Sequence, residues 1–320
     1  MRRTVALTGA TGFIGRNVAA HLAARGDAVR AVVRPDSPRT PPAGVEVVRA
    51  PLTPDALRAA FQGADAIVHL AGLVSAVRDE ALTGVNVDGT RAVAVAARAC
   101  RVPVVHISSL AAAGPAPASA PRSEDDPAAP MNAYGRSKLE GEAALRSVEG
   151  LRWTILRPGV VYGPGDRAVL PLFRCAALGI VPVLGRADAA YSFVYVDDLV
   201  RAIAAAVDSD ETGRTCFVAH AAPVRVRALL DAIRRAVGRR ALLLPVPAAI
   251  VYPLAAGADV LGRAIGRTLP INRRRYAEMY SEGFVCRTDR LRDQLGIEAT
   301  VDLQEGIART AAWYRDHGWL

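Results

Sequence analysis

The chain is 320 residues long and 51% apolar, enough to bury a large core, which excludes a disordered or fibrous protein. Forty basic residues against 31 acidic ones give a net charge of +9, yet the arginines are scattered and aromatics reach only 5%, so no nucleic-acid partner is expected. Four widely separated cysteines (Cys100, Cys175, Cys216 and Cys286) lack a CxxC pair and read as reduced thiols rather than a disulfide frame or metal site; with an N-terminal apolar run that stops after Leu7, they fit a cytoplasmic protein.

Short runs at 5–8, 28–33, 45–48, 66–70, 104–107 and 153–156 are apolar throughout rather than alternately, the pattern of strands covered on both faces. Helical periodicity separates them near 13–25, 54–61, 82–99 and 134–148. That alternation predicts an α/β Rossmann-type doubly wound parallel sheet over 1–158. The segment 111–130 is rich in Ala and Pro and reads as a flexible loop beside the chemistry.

After Pro158 prolines and glycines crowd the chain, and a smaller, mainly substrate-binding lobe is expected over 159–320, with a return to the first domain around 191–220. Within it, 241–262 carries a single charge, Asp259. The stretch is about long enough to cross a bilayer, but Pro245, Pro247 and Pro253 argue against one continuous helix, so no transmembrane segment is predicted. A pocket wall or core helix is the first expectation there, and a weak membrane-surface contact the second. At the C-terminus Asp302 and Glu305 have capping-box spacing, and Gly318 is placed to stop the helix.

"TGATGFIG" sets Gly9, Gly12 and Gly15, with Phe13 and Ile14 between the last two, directly after the first strand and at the start of a helix. Glycine suits a backbone that must turn tightly and approach a pyrophosphate, and the helix N-terminus offers free N–H groups to the anion. A dinucleotide cofactor follows. Its identity depends on the end of the second strand, where an acid would bind a free ribose 2′-hydroxyl and repel a 2′-phosphate. Val33 and Arg34 stand there instead, with Arg16 near the loop to assist, which favours NADP(H); Asp36 keeps NAD(H) open.

Tyr134 and Lys138 lie four apart on a predicted helix and so project from one face. Of the 40 basic residues, Lys138 is the only lysine. An ammonium beside a phenol would lower its pKa and let it exchange a proton with an alcohol or carbonyl. Ser109, in "ISSLAAAG" after the fifth strand, is positioned to hydrogen-bond the same oxygen.

With "HLAG" at 69–72, "NVDGT" at 86–90, "YGRSK", "RPGVVYGPGD" and "FVYVDDLV", the whole chain resembles the extended, epimerase-like branch of the short-chain dehydrogenase/reductase superfamily. In pattern it is most similar to 3β-hydroxysteroid dehydrogenase-like and dihydroflavonol reductase-like members. The resemblance implies Tyr134 as general acid/base, Lys138 on the nicotinamide ribose, Ser109 orienting the substrate oxygen and Asn86 in support. It also implies backbone contacts from Ala71 and Gly72 to the cofactor, and a homodimer.

Pro51 replaces an aspartate that often touches adenine. Pro158 and Gly159 stand where nucleotide-sugar enzymes tend to carry asparagine, and Tyr191 where they tend to carry arginine, Arg186 being out of register. The expected activity is therefore NADP(H)-dependent interconversion of a ketone and a secondary alcohol on a largely apolar small molecule. A nucleotide-sugar epimerase or dehydratase is the alternative, and a non-catalytic dinucleotide-binding protein a third reading.

Overall fold

The computed structural model describes residues 3–320. Its first half runs β1 (Thr4–Thr8), α1 (Phe13–Ala24), β2 (Ala28–Val33), β3 (Glu46–Arg49), α2 (Pro54–Phe61), β4 (Ala66–His69), α3 (Asp79–Thr83), α4 (Gly89–Cys100), β5 (Val104–Ile107), α5 (Ala133–Arg146) and β6 (Trp153–Pro158). The second half adds β7 (Val160–Tyr162), α6 (Leu170–Ala177), β8 (Ile180–Val183), β9 (Ala190–Tyr191), β10 (Phe193–Tyr195), α7 (Val196–Asp208) and β11 (Arg214–Val218). It closes with β12 (Val224–Arg225), α8 (Val226–Val237), β13 (Leu242–Pro245), α9 (Ala248–Ala264), α10 (Arg273–Tyr280), β14 (Gly283–Phe284), α11 (Asp289–Leu295) and α12 (Leu303–Asp316).

Seven strands form the main sheet in the order β11-β6-β5-β4-β1-β2-β3, every pair parallel. This is the predicted Rossmann-type sheet, with β11 from the second half laid beside β6. One face is packed by α1 and α7, through Val18, Leu22, Leu199 and Ile203; the other is packed by α2, α4 and α5, through Leu57, Phe61, Val93 and Leu145. Each such fully buried side chain contributes roughly 1.5–3 kcal/mol of transfer free energy. β4 and β5 are buried at every position, whereas β3, on the edge, is mostly exposed. A second core around Tyr162, Phe173, Ile233 and Tyr314 holds the smaller lobe.

The single helix expected over 82–99 is broken. A π-helical turn at Gly84–Asp88 separates α3 from α4, and the widened turn carries Asn86 inward. The 111–130 loop is not free either. Ala116 N donates to Gly283 O (3.0 Å), Arg122 N to Val285 O (2.8 Å), and Phe217 N to Glu124 Oε1 (2.8 Å), so the loop is stitched to β14 and β11. Asp302 does cap α12, accepting from Glu305 N at 2.9 Å.

Of the two forms of the first expectation within 241–262, the pocket wall holds, since Ala258, Asp259 and Gly262 line a cleft, and the core helix does not. α9 forms despite Pro253, but its buried residues are only Val251, Ala255 and Gly262, and most of its apolar side chains face outward. A continuous apolar run does not distinguish a helix buried all round from one with an uncovered apolar side.

Candidate active site

Because the main sheet is parallel, the ends of its strands share one edge, where ligands bind in such sheets. The loop after β1 brings Gly9, Gly12 and Gly15 there; the residues after β2, β4 and β5 bring Arg34, Ala71 with Gly72, and Ser109. Gly9 has φ +76°, and a Cβ on it would sit 2.7 Å from Ala71 N. A Cβ on Gly15 would meet Gly9 O at 2.2 Å, so helix and loop touch through bare backbone. Gly12 caps α1, and Phe13 and Ile14, both half-buried, open it. This cradle admits no side chain and presents a helix N-terminus, which fits the diphosphate of a dinucleotide.

Arg34 and Asp36 are both exposed past the end of β2. Arg16 is engaged elsewhere, its Nη2 donating to Thr40 O at 2.6 Å. Pro51 is exposed in the loop leading to α2.

Tyr134, Ser109, Lys138 and Asn86 gather beside the cradle. Asn132 starts α5 by accepting from Gly135 N (2.9 Å), which sets Tyr134 and Lys138 on the helix face toward β5. The Tyr134 phenol meets the Ser109 hydroxyl. The adjacent Ser108 is directed away, its hydroxyl donating to Glu142 Oε1 at 2.5 Å. Lys138 is 5% exposed and its Nζ donates to Ile107 O at 2.7 Å.

Asn86 is fully engaged. Its Nδ2 donates to Leu73 O (2.9 Å) and Ser137 Oγ (2.9 Å), and its Oδ1 accepts from Leu73 N (2.8 Å). It thereby pins the 71–73 loop to α5. A Cβ on Gly72 would lie 3.1 Å from Asn86 Oδ1 and 3.8 Å from Lys138 Nζ, so cradle and cluster form one site.

The profile of the NAD dependent epimerase/dehydratase family matches residues 5–219. The chain belongs to that family. Ceramide reductase of Caulobacter vibrioides (strain NA1000 / CB15N) is 30% identical, covering 100% of this chain and 96% of that protein. Sterol demethylase protein B of Methylococcus capsulatus (strain ATCC 33009 / NCIMB 11132 / Bath) is also 30% identical, covering 99% and 100%. The solved structure of MoeE5 in complex with UDP-glucose and NAD is 24% identical and covers 98% of this chain and 99% of its own, with a TM-score of 0.79, a likeness of fold. The protein is an oxidoreductase of the short-chain dehydrogenase/reductase type that works with NAD(P).

In this family member the electrostatics depart from the expectation that Lys138 lowers the pKa of Tyr134. Burial raises the phenol above its ordinary value, against the Ser109 hydrogen bond and the nearby Arg274 guanidinium, and Glu278 adds to the rise. The lysine is held down to about 8 by burial, with Glu142 opposing. Arg274 was not legible in advance: it lies in a part of the chain without a motif, yet its guanidinium carbon stands 5.9 Å from the Tyr134 ring centroid. Glu278 steadies it at 3.2 Å and accepts from Asn132 Nδ2 at 2.8 Å.

A buried polar frame underlies the site. Thr90 Oγ1 donates to Asn86 O (2.7 Å) and so receives His69 Nε2–H (3.1 Å), which leaves His69 Nδ1 to accept from Thr8 Oγ1 (2.7 Å). Burial, reinforced by Lys138, pushes His69 down to about 3, so it stays neutral. Beside it His106, its ring centroid 5.2 Å away, is pushed well below its usual value by burial, and neither ring nitrogen has a partner among the described residues. Arg157 donates to both oxygens of Glu142, at 2.8 and 2.7 Å, tying β6 to α5.

A cleft of about 280 Å³ opens at the start of α5, lined by Leu82, Asn132, Arg136, Gly262, Arg263 and Arg274 among others. It lies against the arginine that faces the Tyr134 ring, so it adjoins the cluster.

Proposed function

We propose that the protein is an NADP(H)-dependent oxidoreductase interconverting a ketone and a secondary alcohol on a largely apolar small molecule. The observation that carries this reading is the pairing of the Tyr134 phenol with the Ser109 hydroxyl, beside the buried Lys138 ammonium and the glycine cradle. A nicotinamide cofactor bound there would supply or accept the hydride. The chain's own residues handle the proton and the positioning.

Ser109 donates to the carbonyl oxygen and orients it. Tyr134, whose pKa lies above the ordinary phenol value, keeps its proton near neutrality and delivers it to that oxygen. Lys138, rigidly placed by Ile107 O, supplies positive charge and hydrogen bonds for the ribose hydroxyls. Asn86 acts as a positioning residue through Leu73 and Ser137. Gly9, Gly12, Phe13, Ile14, Gly15, Ala71 and Gly72 form the cofactor cradle. The exposed Arg34 guanidinium is the group available to a 2′-phosphate.

The positions that weaken the nucleotide-sugar reading have structural occupants. A Cβ on Gly159 would strike Ser192 O at 2.2 Å, so that backbone is pressed against its neighbour. Tyr191 donates its hydroxyl to Glu278 O at 3.0 Å and offers no cation to a diphosphate.

The test is NADPH oxidation with a panel of aryl, alicyclic and long-chain ketones, run beside NADH. Turnover is expected with NADPH preferred, and Tyr134→Phe should lower kcat by roughly 10²–10⁴-fold with melting unchanged. Turnover of a nucleotide sugar without added cofactor, in place of ketone reduction, would refute the proposal.

A further inference from the structure

The outer side of α9 has no covering element. The helix packs mainly on α10, through a side that carries Val251, Ala255 and Gly262. On the other side Ile250, Leu254, Val260 and Leu261 are 51, 60, 65 and 54% exposed. At 100° per residue these four fall within a stripe about 120° wide. The ribbon β8–β13 leads into this helix. There Ile180 pairs with Leu242, and Leu178, Ile180, Leu242 and Leu244 are also exposed. Ten of the fourteen exposed large apolar residues among the described residues fall between 178 and 265, so they form a local concentration rather than ordinary scatter.

The same region is basic. Residues 239–280 contain seven arginines against Asp259 and Glu278. Arg240, Arg263 and Arg267 are exposed and form no ion pair among the described residues. A second copy of this face would bring like charges together across a two-fold axis. A layer of anionic headgroups over acyl chains complements both the charge and the apolar stripe.

We propose that this face docks on the surface of an anionic lipid bilayer, with α9 lying in the headgroup layer, its apolar stripe toward the acyl chains and the arginines at lipid phosphates. The helix is 17 residues long and contains Pro253, and no helix among the described residues is long and apolar enough to cross a membrane. It therefore lies on the bilayer. The inner side of the same helix, through Ala258 and Gly262, lines the cleft beside the Tyr134 cluster, and the exposed Arg263 and Arg267 stand at the edge of that cleft. Docking sets the mouth of that cleft at the lipid interface, where a lipidic ketone would enter. This link to substrate rests on the function proposed above; the docking does not.

The test is co-sedimentation of the full chain with phosphatidylcholine vesicles, with and without phosphatidylglycerol. Binding to the anionic vesicles should be at least about tenfold tighter and should weaken in high salt. Leu254→Asp/Leu261→Asp should abolish it while NADPH oxidation with a water-soluble ketone stays unchanged, since neither leucine lines the cleft. Arg240→Glu, which leaves the apolar face intact, should weaken it. Absence of vesicle binding, or binding that survives the double substitution, overturns the proposal. So does a wild-type dimer that the double substitution splits and that ignores vesicles, because a second copy then covers the face. Vesicle binding without turnover of any ketone supports the docking and refutes the ketone reading alone.

Discussion

In the sheet half, Arg157 is 5% exposed and grips Glu142 with two hydrogen bonds, whereas in the α9–α10 hairpin Arg263 and Arg267 lie exposed without an ion pair among the described residues. Glycine shows the same contrast. Gly15 is pressed against Gly9 O, while Gly257 in α9 has nothing within 4 Å of where a Cβ would stand. The sheet half is a closed structure in which the buried charges of Arg157, Glu142 and Lys138 are held by partners, so that a rigid edge can hold the cofactor. The hairpin is open, and its sequence is not adapted to the rest of the chain alone. Identical substitutions should therefore have different consequences in the two regions.

Arg157→Leu should show the largest effect on stability. It leaves Glu142, fully buried, with Ser108 and the partly exposed Arg146 as remaining partners, and should cost about 3 kcal/mol, read as a lower urea midpoint. Arg263→Leu should change the midpoint little. Gly15→Ala comes next. Its new methyl would overlap backbone, with an expected loss of roughly 1–3 kcal/mol and a weaker cofactor affinity measured by calorimetry.

How much of this was legible in the sequence differs between the regions for the same reason. The strands, the glycine loop and the Tyr134, Lys138 and Ser109 cluster were readable because short-range pattern and spacing encode them. The π-helical turn that turns Asn86 inward was not, since "GVNVD" continues a helical periodicity and the bonds that accompany the turn, from Asn86 to Leu73 and Ser137, are tertiary. Arg274 and Glu278 reach Tyr134 from a helix far along the chain, a juxtaposition that no local pattern reports. The orientation of α9 was equally silent, because hydropathy measures what a segment is made of and not what covers it.

The lone lysine gives a smaller and more specific test. Its folded-state pKa of about 8 is below its ordinary 10.5, so between these values the unfolded chain holds the extra proton and stability rises with pH. The ammonium is lost as pH rises through about 8, and kcat/KM for ketone reduction should fall along that limb. Lys138→Arg should retain charge at all these pH values yet lower activity, because a guanidinium is wider than the ammonium seated on Ile107 O. Its alkaline limb should move upward, toward the raised pKa of Tyr134. A limb that stays at about 8 in the variant would assign it to another group.

Gly257→Ala carries the comparison to its smallest expected effect. The residue is interior to α9 and falls among Ile250, Leu254 and Leu261 on the uncovered side, so a methyl there meets no atom of the chain. Helix propensity alone then acts, and the substitution should stabilise the hairpin by up to about 1 kcal/mol, the opposite sign to Gly15→Ala. Hydrogen exchange of α9 amides reads this directly, because the hairpin can open without the sheet. Slower exchange in the variant would show that no protein surface occupies the face in solution. Faster exchange would mean that something packs closely over Gly257, and the open hairpin would then be a closed interface like the rest of the molecule.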